Sequence, residues 1–250
     1  MSRSATRSDR LDTTPRSNAS ARLGLTLRSV LLTPRDGFAA ALKAAERRAR
    51  AGSRPAEGLS PYVLAAIGGA SLMMLWLKLG ALLGLREVCT ADNITAYIVA
   101  SLVLGAVLGL IAQAVWGGVG PRAMRGLHTE VAGRDLRLVW GASNFPQVFA
   151  LVLLLPLDLA IVGTDTFTTA KLGDSLATAW AAFSIALAIS VALWSLFLFV
   201  RGLEVAGGIG MKKALLATLM GLACLAVVVG VLVFGASFLP RGNGCPTQLG

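Results

Sequence analysis

The chain has 250 residues, of which 55% are hydrophobic and only 14% charged, with a net charge of +10. A soluble globular domain carries about 25% charged residues, so this deficit and a mean hydropathy of +0.71 exclude an ordinary water-soluble protein and indicate a membrane one. The positive charge is uneven: residues 1–60 hold twelve of the 23 Lys and Arg but five of the 13 acids.

Residues 1–27, rich in Ser, Thr, Arg and Ala, are expected to form a disordered basic tail. Its charges come without interleaved aromatics or zinc-spaced ligands, which argues against nucleic acid as a partner. Ahead of a membrane domain they read as a cytoplasmic arm suited to an anionic inner leaflet. Residues 28–60 are expected to hold an amphipathic, interfacial helix and a linker. In SVLLTPRDGFAAALKAAERRAR, Thr33 can cap a helix, Pro34 suits its first turn and Asp36 completes a capping-box-like pair. Phe38, Leu42 and Ala45 then share one face, with Lys43, Arg47, Arg48 and Arg50 over much of the rest. That pattern fits a helix lying on a leaflet; a short helix packed under a bundle is the other reading. Ser53, Pro55, Gly58 and Pro61 supply the linker. The first long apolar run starts at Pro61, too far in for a cleaved signal peptide.

Five runs approach the roughly 20 apolar residues that a spanning helix needs: 61–85, 95–117, 145–163, 176–200 and 214–238. None alternates as barrel strands do, so the fold expected is all-α, a five-helix transmembrane bundle over 61–240 with an outer tail at 241–250. Lys and Arg mark cytoplasmic loops. The loop after the second run holds Arg122, Arg125, Arg134 and Arg137, and that after the fourth Arg201, Lys212 and Lys213. The loops after the first and third runs hold only Arg86 and Lys171, beside Glu87, Asp92, Asp165 and Asp174, and the tail only Arg241. This alternation puts the amino terminus inside and the carboxyl terminus outside. Among the tryptophans, Trp116 and Trp180 lie near span ends, as an interfacial belt would have them. Trp76 and Trp194 lie deeper and are expected to pack.

The third run, FPQVFALVLLLPLDLAIVG, carries Pro146, Pro156 and Asp158. The prolines predict kinks. An intramembrane carboxylate is costly and points to a functional site or an ion pair. With spans one and three both running outward, Asp158 lies roughly 8 Å and Lys78 roughly 10 Å from the outer ends of their runs. Their similar depth suggests an ion pair between Lys78 and Asp158. Separate snorkelling to the outer interface and a proton- or ion-handling Asp158 are the alternatives.

Gly80/Gly84 and Gly105/Gly109 have the small-xxx-small spacing of close helix packing, either within the bundle or at a dimer face. Gln113, near the inner end of span two, can bond a neighbour or be hydrated. Cys89 and Cys245 fall in outer segments, where a disulfide between them is one outcome and free thiols the other; Cys224, mid-span, suits packing. Asn93 reads better as a helix cap than as a glycosylation acceptor. His128 has no Cys or Glu cluster for a metal, and neither dinucleotide, phosphate-loop nor hydrolase motifs occur. No catalytic, cofactor-binding or metal site is therefore expected.

Four segments carry a family resemblance: LLTPRDGF ahead of span one, WGGVG at 116–120, GASNFP at 141–146, and LWSLFLFVRGLEVAGGIGMKKALL at 193–216. In order and spacing they resemble the Yip family, Ypt/Rab-interacting integral membrane proteins with five spans, over roughly residues 30–238. The arm is basic, without the acidic Asp-Leu-Tyr-Gly-Pro-like region of eukaryotic members, and looks more like the bacterial ones. The resemblance implies a non-enzymatic membrane protein organising lipids or membrane-protein partners, itself included, in a bacterial plasma membrane. A small transporter or channel using Asp158 is the alternative; no obvious inverted repeat accompanies it.

Overall fold

Without water to satisfy it, backbone in a bilayer pairs within its own segment, and all regular structure among the described residues is helical. The structure, a computed structural model, describes residues 29–50, 60–82, 94–163, 167 and 175–237. The basic tail 1–27, Gly84, Cys89, Asn93, Cys245 and the tail 241–250 lie outside them.

The helices are α1 (Pro34–Arg50), α2 (Pro61–Leu82), α3 (Ile94–Gly118), α4 (Gly120–Gly126), α5 (Gly133–Ser143), α6 (Phe145–Phe149), α7 (Leu155–Ile161), α8 (Ser175–Gly207) and α9 (Met211–Ser237), with a π-helical turn at Ala150–Leu154 joining α6 to α7. Four stretches are long and apolar enough to cross a membrane: Pro61–Ala81, Thr95–Gly118, Gly133–Ile161 and Leu176–Gly207. The chain is thus an all-α, multi-pass integral membrane protein. The 27-residue α9 occupies the place of the fifth expected span.

Two expected loops are largely helix. The third span was expected from Phe145, but its helical run starts at Gly133, so Arg134 and Arg137 sit on α5. Arg137 donates to the Gly133 carbonyl (3.4 Å) and to the Tyr62 hydroxyl (3.2 Å), and its stem fills the space that Gly117 leaves bare. This anchorage makes a charged stretch helical. Likewise α8 runs on past Val200, with Arg201 bridged to Glu204 at 2.7 Å one turn later. It ends where Gly208 takes φ +58° and Ile209 N–H donates to the Glu204 carbonyl at 3.2 Å, a glycine C-cap of Schellman type. Lys212 and Lys213 then lie in the first turn of α9.

The α2–α3 hairpin is the most extensive helix contact. Gly105 and Gly109 do lie at this close crossing, but their counterpart is Gly69, not Gly80. A Cβ on Gly69 would strike the Gly105 carbonyl, and one on Gly109 the Ala65 carbonyl. Around Gly80 a Cβ would meet nothing within 4 Å. Gly80 lies some three turns further along α2, beyond the point of closest approach.

The main hydrophobic core lies toward the end of the bundle where α2 and α9 begin and α3 and α8 finish. Trp116 stacks on Trp140 (centroids 6.1 Å apart), and Phe199 meets both edge-on at 4.6 and 5.1 Å. Phe38 of α1 is fully buried there, against Gly202 and in the same cluster as Val139. The apolar face of α1, with Phe38 buried and Leu42 half-buried, thus packs on protein rather than lying open to a leaflet. Thr33 directs its hydroxyl back to the Ser29 carbonyl at 3.2 Å. Three tryptophans depart from the expected roles. Trp116 is buried, while Trp76 and Trp194 are 59% and 43% exposed and face outward from the bundle.

Gly109→Ala should lower stability by about 1–3 kcal/mol through overpacking, whereas Gly80→Ala should change it by no more than about 0.5 kcal/mol. Thermal unfolding of the detergent-solubilised variants checks the contrast.

Candidate functional site

The third span supplies its inward stripe at helical spacing: Gln147, Ala150, Leu154 and Asp158 are all buried. Two interruptions punctuate it. At Asn144 the helix breaks between α5 and α6, with Pro146 opening α6 and the Asn144 side-chain amide donating to the Trp140 carbonyl at 2.8 Å. Further on, the π-turn precedes Pro156, which opens α7. Proline suits the first turn of a helix because its missing N–H is unneeded there. Pro146 follows the break at Asn144, whereas at Pro156 the backbone stays helical from the π-turn into α7.

Asp158 lies three residues before the end of α7 and is fully buried. Lys78 lies four residues before the end of α2 and is 4% exposed. The Lys78 Nζ donates to Asp158 Oδ2 and, at 3.0 Å, to the Ser184 hydroxyl. The Trp180 indole N–H donates to Asp158 Oδ1 at 3.0 Å. Both carboxylate oxygens are thus engaged, by α2 on one side and α8 on the other. Neither charge snorkels to the surface. Asp158 lies about 5 Å from the end of α7, shallower than expected because that helix stops at Ile161, short of Gly163.

A second polar contact lies two turns nearer the opposite end of α2: Ser71 donates to Gln147 Oε1 at 2.7 Å, both residues being buried. Between the two contacts lies a cavity of about 10 Å³, with Met74, Leu75, Ala150, Leu151 and Leu154 among its walls. Ser71 and Lys78 also line it, and its volume is at the limit of the roughly 10–15 Å³ that one water needs. Gln113 is also buried and donates to the Arg137 carbonyl at 3.2 Å; its Oε1 has no partner.

The other expected residues stand apart from this site. Gly105 and Gly109 serve the hairpin, Gly80 contacts nothing there, and Cys224 is a free, exposed cysteine. His128 is exposed in a left-handed turn at φ +60°. Among the described residues no group of three His, Cys, Asp or Glu is placed to hold a metal. Sequence reasoning missed Trp180, Ser184, Ser71 and Gln147. A signal existed for one of them: Ser71 lies seven residues before Lys78, on the same face of one helix. Comparison with family models, curated proteins and solved structures returns no match.

The arrangement is a closed electrostatic clasp across three spans. Removing one partner of a buried pair leaves an uncompensated charge and costs about 3–5 kcal/mol. Asp158→Ala and Lys78→Ala should each lose that much, while Trp180→Phe, which removes one hydrogen bond to a charge, should lose about 1.5–3 kcal/mol. Unfolding titrations in mixed micelles give the ranking.

Proposed function

We propose that this integral membrane protein is a non-enzymatic organiser of its bilayer, Yip-like in type, whose working surface is the basic end of the bundle. The observation that carries this reading is the charge at that end. Among the described residues, Arg35, Lys43, Arg47, Arg50, Arg122, Arg125, Arg134, Lys212 and Lys213 are exposed there, against the exposed acids Asp36, Glu46 and Glu130. Juxtamembrane bases gain about 1 kcal/mol each from an anionic leaflet. The Lys/Arg bias of the loops favours the cytoplasmic face for this end. Anchorage of α1 by Phe38 holds its bases at a fixed height rather than on a free tether. The family reading rests on the order and spacing of the four quoted segments, and a bacterial plasma membrane suits the composition.

Transport through Asp158 is the second reading, because a π-turn and a proline beside a buried carboxylate occur at functional sites. The engagement of both carboxylate oxygens favours the clasp.

Two measurements test the choice. Discs excised from a mixed-lipid membrane with the protein should be enriched in anionic lipid over the bulk, and Arg35→Gln with Lys43→Gln and Arg47→Gln should lower that enrichment. Unchanged enrichment would refute the organiser reading. Proteoliposomes of wild type and Asp158→Asn should show no proton or ion flux above empty vesicles at acidic or neutral pH. Flux present in wild type and lost in the variant would make the protein a transporter.

A further inference from the structure

A cleft of about 200 Å³ opens between the end of α3, α4 and the first half of α9. Val115, Trp116, Val119, Ala123, Met220 and Cys224 form most of its wall, which is almost wholly apolar. Its width depends on small residues. Gly120 and Gly221 also line it, and a side chain on Gly221 would collide with the Trp116 indole. The indole is fixed in turn by Trp140 and Phe199, so the wall is rigid.

The cleft sits at the basic end, and its rim is charged in register with its floor. Lys213, Met220 and Cys224 are separated by seven and four residues. At 100° per residue, Met220 and Cys224 fall within about 20° of the Lys213 direction on α9. Lys213 therefore stands directly above the cleft, about 10 Å nearer the helix start than Met220. On the other side Arg122 belongs to α4, the helix that supplies Gly120 and Ala123 to the wall; it is exposed beside the cleft, with one guanidinium nitrogen bonded to the Gly118 carbonyl at 2.8 Å. No acid lies in α4 or in the described part of α9 to neutralise the two.

We propose that this cleft seats one acyl chain of an anionic phospholipid, whose phosphate is held between Lys213 and Arg122. The apolar wall accepts the chain and the two bases select the headgroup. A zwitterionic lipid meets the same wall but gains less from the bases. The inference rests on the reading that this end faces an anionic leaflet, and it names a specific seat within that leaflet.

Cys224 supplies the readout. In the full-length protein with Cys89→Ser and Cys245→Ser, alkylation of Cys224 by a membrane-permeant maleimide is timed in neutral detergent. Phosphatidylglycerol should slow it, at concentrations where phosphatidylcholine of the same chains does not. With about five-fold in affinity per base, half-protection should need roughly 25-fold less of the anionic lipid. Lys213→Gln with Arg122→Gln, which leaves the wall untouched, should bring the two lipids level. Ala123→Trp, which fills the cleft, should abolish protection by either. Equal protection of the wild type by both lipids would overturn the proposal and leave ordinary boundary lipid. Protection that appears without lipid and rises with protein concentration would overturn it in favour of a second copy of this chain. Loss of Cys224 protection with disc enrichment intact would sink this seat alone. Loss of both would sink the organiser reading as well.

Discussion

A lysine and an aspartate taken out of water and closed against each other determine how this bundle holds together. Within an apolar bundle, water screens neither charge, so each depends on the other and on the hydrogen bonds around them. Lys78 comes from α2, Asp158 from α7, and Ser184 and Trp180 from α8. Three helices that could otherwise slide along apolar faces are thereby set at one height and one rotation. Apolar contacts among Leu, Val and Ala surfaces do not discriminate register well, since lipid tails are as apolar as the side chains. The ion pair does discriminate, because only one register satisfies both charges.

The opposite end is held by different means. There the fixed points are the Trp116–Trp140–Phe199 cluster, the buried Phe38 and the glycines that allow close approach of α2 to α3. These contacts are dense and mostly apolar, and they carry the exposed bases on short, helical supports. A polar clasp at one end and an aromatic core at the other leave the middle to small residues. The same construction explains why prolines are tolerated in the third span. Pro146 stands after the break at Asn144 and Pro156 just after the π-turn, and the clasp beyond them fixes the alignment of the span.

Much of this was legible in the sequence, for reasons that differ by level. Apolar run length reports membrane crossing directly, so the helices at 61–82 and 94–118 were expected within a few residues. Boundaries failed where charge does not end a helix: Arg137 is held by a tyrosine hydroxyl far away in sequence, and Arg201 by Glu204 one turn on. Depth along the spans brought Lys78 and Asp158 together because opposite charges in a bilayer have few other partners. Trp180 was read as an interfacial residue since the pattern along one helix does not say which side faces a neighbour. Gly69, which faces Gly105 and Gly109, was not singled out for the same reason. Spacing marks a smooth face, but the crossing point is set by the partner helix.

The most direct test of the account replaces the clasp as a unit. Lys78→Met, Asp158→Leu and the double variant are compared with wild type by thermal unfolding in one detergent. If the pair aligns the helices through its mutual charge, the double variant should be markedly more stable than the sum of the two single losses predicts, since no orphaned charge remains. Losses that add would show that Lys78 and Asp158 act independently, and the clasp would no longer explain the bundle.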